Sequence, residues 1–223
     1  MKIGIVGAGN IGGNIGRLLA GAGHEVQVSF SRDPAGLARL AADIGAADAT
    51  PAQAAAFGEV VVISVPWGIF DQALADTGGP PALAGKVVVD TTNQFERVNG
   101  GLAVLDLGES SAARQHALAV PGARWSKAFN TLTAGFQAAS SGRTGPDRVV
   151  MFYAADHDDA AAVVARLIND AGFDPVRTGT LERTEVGHQE PKGDLYGEEF
   201  HHDEAVALVE KLRGTPPSGT GRP

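Results

Sequence analysis

The amino-acid sequence predicts an α/β fold, in which helices cover both faces of a doubly wound, mostly parallel sheet. Three observations predict it. Short aliphatic runs alternate with longer segments of helical periodicity, the order that builds parallel sheets. Most of the runs are continuously apolar rather than alternating, as strands covered on both faces must be. A glycine-rich turn directly follows the first run. In chain order, strand is expected over 2–6, then helix over 11–20 with Ile11, Ile15, Leu18 and Leu19 at helical spacing. Strand 25–30 leads to helix 34–44, strand 59–65 to helix 70–76, and strand 86–90 to helix 110–119. Strand 124–128 precedes helix 131–139, strand 148–154 precedes helix 158–171, and strand 174–177 closes the series. The crossovers are expected to be right-handed. These elements make one domain over 1–180. Composition then turns polar: a C-terminal extension over 181–213 ends in a helix at 203–213. The tail 214–223, rich in Gly, Pro, Ser and Thr, is expected to be disordered.

A chain of 223 residues with 43% hydrophobic and 20% charged residues is globular in composition. Its net charge of −8 lacks the basic face that phosphate backbones require, so no nucleic-acid partner is expected. The absence of cysteine excludes disulfides, thiolate nucleophiles and cysteine-ligated metal centres. The first strand begins at Lys2, before any targeting segment, and glycine, asparagine and arginine interrupt the apolar residues that follow. A cytoplasmic protein with no membrane partner is expected. His201-His202-Asp203-Glu204 reads as a solvated helix cap, because adjacent residues at a helix start diverge; no metal is assigned.

Gly7-Ala8-Gly9-Asn10-Ile11-Gly12 spells G-x-G-x-x-G between a strand and a helix. In that setting Gly7 permits the tight turn, Gly9 lets a pyrophosphate approach the backbone, and Gly12 lets the helix pack closely on the sheet. Asn10 and Ile11 open a helix whose free N–H groups and dipole favour phosphate. This is the dinucleotide-binding signature of a Rossmann domain. Cofactor choice is read at the end of the second strand. There Ser31 and Arg32 suit the 2′-phosphate of NADP, Arg32 by a bidentate fork. The rival reading makes Asp33 a ribose carboxylate and the cofactor NAD, but Asp33-Pro34 is already explained as the N-cap and first residue of the next helix.

Ligands of open α/β sheets sit beyond the carboxyl ends of the strands. Val65, Pro66 and Trp67 follow one strand there, Thr91, Thr92 and Asn93 another, and Lys127, Ala128, Phe129, Asn130 and Thr131 a third. Singly, Pro66 and Trp67 are explained by a helix start, Asn93 by a turn and Lys127 by a surface charge. Their joint placement points to a pocket for nicotinamide and substrate.

The set Gly7–Gly12, Ser31-Arg32, Val65-Pro66-Trp67, Asp90–Asn93 and Lys127-Ala-Phe-Asn-Thr131 resembles the family of NADPH-dependent reductases of coenzyme F420. The reductase domain of the six-transmembrane metalloreductases is similar. The resemblance runs over residues 1–180. It implies a Rossmann domain that binds NADP through these residues and exchanges a hydride with a flavin-like ring, F420 or a flavin. A second copy of the chain is a further candidate partner. The sequence departs from the family at Gln94, where the family often has proline, and over 182–213.

Hydride transfer between rings needs the donor and acceptor carbons held roughly 3–3.5 Å apart. A carbonyl reductase also needs a proton donor. No Tyr-x-x-x-Lys run is present, which favours a deazaflavin or flavin acceptor, and no residue is assigned a catalytic role. The alternatives are reduction of a small carbonyl or imine, and a non-enzymatic NADP-binding redox sensor.

Overall fold

The structure is a computed structural model that describes residues 1–30 and 32–221; Ser31 and residues 222–223 lie outside the described residues. The strands are β1 Lys2–Val6, β2 Glu25–Ser29, β3 Ala47–Asp48, β4 Val60–Ile63, β5 Val87–Asp90, β6 Phe95–Val98, β7 Gly101–Val104, β8 Arg124–Ala128, β9 Val150–Ala155 and β10 Asp174–Gly179. The helices are α1 Asn10–Gly21, α2 Pro34–Ile44, α3 Pro51–Phe57, α4 Phe70–Asp76, α5 Ala112–Ala119, α6 Ala134–Ser140, α7 Asp158–Asp170, α8 Arg183–Val186 and α9 His202–Leu212.

Eight strands form one sheet in the order β10-β9-β8-β5-β4-β1-β2-β3. From β3 to β8 all neighbours pair in parallel. β9 runs antiparallel to β8 and carries β10 parallel to itself. The fold is thus a mostly parallel Rossmann sheet, with two reversed strands at one edge. Alternate residues of each strand face opposite layers, as the pleat requires. Ile3, Ile5, Val60, Val62, Val87 and Val89 pack against Ile15 and Leu19 of α1 and Val164, Leu167 and Ile168 of α7. Val6, Val61, Ile63 and Val88 face Ala55 of α3, Phe70 and Ala73 of α4 and Ala113 of α5. Each fully buried Val, Leu or Ile contributes about 1.5–3 kcal/mol. The continuous apolar runs read from the sequence are the consequence of this two-sided burial.

β3, α3, β6, β7 and the one-turn α8 were not expected. β3 is two exposed residues, too short to carry a pattern. α3 is held at its start by a capping box, Thr50 accepting from the Gln53 amide and Gln53 from that of Thr50. β6 and β7 form a separate antiparallel hairpin whose turn, Asn99-Gly100, has positive φ at both residues, as two-residue hairpin turns need. The helix expected over 131–139 begins at Ala134, where Thr133 caps it by accepting from Phe136 N–H.

The C-terminal extension docks on the sheet. Leu195, Phe200, Ala205 and Val209 form a third apolar cluster with Val150, Phe152 and Val176, and Phe200 meets Phe152 edge-on at 5.5 Å between centroids. The described part of the tail is tied down by hydrogen bonds: His188 Nε2 lies 2.9 Å from Thr215 O, Ser218 N–H donates to Asp194, and Gly221 N–H donates to Lys192 O. Among the described residues no helix is long and apolar enough to cross a membrane.

Candidate active site

The site lies where the strand order reverses, between β1 and β4, the place where open α/β sheets leave a crevice. β1 ends at Val6, and Gly7 turns the chain with φ 111°. The amides of Gly7 and Ala8 both donate to Ser29 O, at 3.0 and 3.1 Å, and the Ser29 hydroxyl donates to Ile5 O. The glycines are not equivalent. A Cβ on Gly7 would lie 2.1 Å from Ser64 O, and one on Gly12 would lie 1.9 Å from Gly7 O; one on Gly9 would meet nothing within 4 Å. Gly7 and Gly12 therefore close the turn against the sheet, whereas Gly9 faces open space. α1 starts at Asn10 with Gly9 as N-cap, and no side chain caps it or places an acidic group in its first turn. The helix N-terminus is left to present N–H groups to an anion.

The other strand ends converge on the same crevice. Trp67 stacks on His116, and Phe70 stacks on that imidazole too, with centroids 4.6 and 3.6 Å away. Beyond β8, Phe129 is buried in the left-handed region at φ 60°, a conformation costly for a bulky residue and concentrated at functional sites. Gln137, fully buried on α6, pins this turn by donating to Phe129 O and Leu132 O at 3.1 and 2.8 Å. Asn130, next in line, donates to Asn93 Oδ1 at 3.0 Å and to Gln189 O, while Asn93 donates to Asn130 O at 3.0 Å and to the Tyr196 hydroxyl at 3.3 Å. The resulting cavity of about 640 Å³ runs from Gly9–Ile11 past Trp67 to Asn93 and Tyr196, within the range of ligand pockets.

Beneath it lies a buried charged cluster. Lys127 is fully buried; its Nζ donates to Thr92 O and sits 3.8 Å from Asp90 Oδ2. Asp90 also receives the Thr92 amide at 2.7 Å and lies 2.9 Å from His116 Nδ1. Burial opposes ionisation of Asp90. The Lys127 ammonium, His116 and the hydrogen bonds from His116 and Thr92 outweigh it and hold the carboxyl well below the usual range. Glu190, from the C-terminal extension, goes the other way: burial pushes its carboxyl up against the attraction of Lys127. Lys127 is thus neither the surface charge that a strand end suggests nor a group lining the crevice. It pairs with the Asp90 carboxylate and fixes the Thr92 carbonyl, and with it the strip that carries Asn93.

Of the residues singled out in the sequence, Gly9, Asn10, Ile11, Val65, Pro66, Trp67, Asn93, Asn130 and Thr131 line the cavity. Gly7 and Gly12 shape the turn behind it, and Arg32 is exposed just beyond β2, after Phe30 at φ 58°; Ser31 lies outside the described residues. Asp33 caps α2 through the Gly36 amide. Sequence reasoning missed Tyr196, Gln189 and the hairpin residues Phe95, Arg97 and Leu102, which also reach the site. The Asn-Gly turn signalled the hairpin; nothing in the local pattern signalled Tyr196. The two departures from the family pattern meet each other, since Gln94 Nε2 donates to Glu190 at 3.4 Å. The site suits a dinucleotide: the open face of Gly9 is a cradle that a side chain would fill, and buried Asn130 Oδ1 has no donor among the described residues.

Residues 2–94 match the family model for NADP oxidoreductase, coenzyme F420-dependent. The chain resembles that family over this stretch, which is less than half of its length. It is an NADP-dependent oxidoreductase, and NADP is its cofactor. Among solved structures, the oxidoreductase is similar to a hypothetical protein from Sinorhizobium meliloti, with 29% identity over 91% of this chain and 96% of that one and a TM-score of 0.79. A candidate F420-dependent NADP-reductase from Arthrobacter sp. FB24 is 27% identical over 81% of this chain and 86% of that one, with a TM-score of 0.71. A reductive aminase from Aspergillus terreus, in complex with NADPH and ethyl levulinate, shares the fold at 21% identity and a TM-score of 0.61; the alignment takes in 95% of this chain but 60% of that one. Comparison with curated proteins gives no match.

Proposed function

We propose that this oxidoreductase transfers a hydride between NADP(H) and a planar deazaflavin or flavin-like acceptor, foremost coenzyme F420. The observation that carries the reading is the extent of the cavity. Its lining takes in Phe95, Leu132 and Tyr196 as well as the Gly9–Ile11 cradle, Pro66 and Trp67. That leaves room for a second ring beside the nicotinamide, which a sensor would not need. In this reading Gly7, Gly9, Gly12 and the start of α1 hold the pyrophosphate, and Ser31 and Arg32 hold the 2′-phosphate. Asn130 Oδ1 receives the carboxamide N–H, and Val65, Pro66, Trp67, Asn93 and Thr131 shape the space for the rings. When bound, NADPH supplies the hydride from its nicotinamide; the chain binds, orients and excludes water.

The test is to mix the protein with NADPH and, separately, coenzyme F420, FMN or FAD, and to follow absorbance at 340 nm. Oxidation of NADPH with F420 is expected. Loss of NADPH only with ketones or imines would transfer the assignment to a carbonyl or imine reductase, a reading that the Tyr196 hydroxyl in the cavity supports. No turnover with any acceptor would favour the sensor.

A further inference from the structure

We infer that Tyr196 is the proton donor to the acceptor, meeting the charge that develops on an acceptor heteroatom as hydride arrives. The inference rests on the hydride-transfer reading above and adds the residue that completes it. Tyr196 belongs to the segment that follows no family pattern, yet its ring is held over the crevice by its neighbours. Leu195 is buried in the third apolar cluster and its N–H donates to His188 O at 2.8 Å, while Gly197 N–H donates to Thr131 O at 3.0 Å. The hydroxyl oxygen accepts from Asn93 Nδ2 at 3.3 Å. The phenolic hydrogen has no protein acceptor among the described residues, and Tyr196 lines the cavity. A hydroxyl oxygen fixed by a donor, its own proton without a protein acceptor among the described residues, at the wall of the cavity, is the geometry of a general acid.

The chemistry balances. The C–H bond at the nicotinamide breaks and its electron pair passes as hydride to the acceptor carbon. Tyr196 O–H breaks and its proton passes to an acceptor nitrogen or oxygen. The phenolate left behind keeps the Asn93 hydrogen bond, which strengthens on ionisation, until solvent returns a proton through the open crevice. Burial pushes the phenol above its usual range, so it keeps its proton at neutral pH. Arg97 on the hairpin is the charged side chain among the described residues that lines the same cavity.

The test is Tyr196→Phe, which keeps the ring and removes the hydroxyl, with thermal unfolding as the control for folding. In single turnovers with NADPH and coenzyme F420, the rate should fall about a hundredfold, the usual scale for a lost general acid. Affinity for NADPH should stay within twofold. The wild-type rate should fall at alkaline pH as the phenol ionises, and the variant should lose that limb. As a readout independent of turnover, the affinity of F420 for the NADP⁺-loaded protein, followed by F420 fluorescence, should weaken about fivefold, as for one lost hydrogen bond. A variant as fast as wild type, or slower with the alkaline limb intact, overturns the inference and leaves the proposed function standing. A wild type that does not reduce F420 overturns both.

Discussion

The glycine turn yields a prediction in which two neighbouring substitutions act on different properties. Gly9→Val places its side chain in open space, at φ −77°, where a valine is unstrained. The cost to the fold is the poorer N-cap, about 1 kcal/mol or less, or roughly 2–4 °C in Tm for a chain of this size. The same side chain fills the approach to the pyrophosphate, so NADP affinity should fall at least tenfold, which is about 1.4 kcal/mol. Gly12→Ala does the reverse. Its Cβ would start 1.9 Å from Gly7 O, so α1 must move off the sheet, at an overpacking cost of about 1–3 kcal/mol or more. Tm should drop by roughly 2–12 °C. Thermal unfolding measures one effect and titration with NADP the other. A Gly9→Val protein that binds NADP normally, or a Gly12→Ala protein as stable as wild type, would refute the division of roles.

Three further outcomes are expected. Arg32→Ala should weaken NADP by about 1.5–3 kcal/mol, the range for charge-assisted hydrogen bonds, with far less effect on NAD; equal losses in titrations with both would remove the 2′-phosphate assignment. Lys127→Met should remove the ammonium that compensates buried Asp90, leaving it only His116 and the Thr92 amide, and cost up to about 3–5 kcal/mol in chemical denaturation, with part recovered in the Asp90→Asn, Lys127→Met double variant; a lysine that acted chiefly on the cofactor would alter binding and leave stability alone. Glu190→Gln tests the sign of a pH effect: the raised carboxyl favours folding while protonated, and that contribution is lost as pH rises from the unfolded value, near 4.3, through the higher folded one. Relative to wild type, the variant should therefore gain stability across that rise in denaturation series at increasing pH, and a flat difference would contradict it.

The parallel core was legible because two-sided burial leaves uninterrupted valine and isoleucine runs, and β1 and β8 have the expected limits. What escaped has physical reasons. The direction of β9 is not written in its apolar residues, which are buried in either orientation. α3 is seven residues, too short for a periodic face, although its Thr50–Gln53 capping box was present in the sequence. In the site, the glycine turn and the strand ends were readable because their chemistry is local. Lys127 was expected in the cofactor pocket because its neighbours at the same strand end line the crevice; it lies buried instead, beside Asp90 and near Glu190, 37 residues before and 63 after it, which no local pattern brings together. Tyr196 reaches Asn93 only through the docking of the C-terminal segment, a long-range contact that no spacing announces.

Direct hydride transfer within one crevice is read most plainly by isotope transfer. NADPH deuterated stereospecifically at the nicotinamide C4 is incubated with the protein and coenzyme F420, and the reduced acceptor is analysed by mass spectrometry and NMR. The label from one face of the nicotinamide should appear at the acceptor ring carbon, with a primary isotope effect when chemistry limits the rate. Reduced F420 carrying hydrogen from solvent at that carbon, or F420 left unreduced while NADPH is bound, would contradict it.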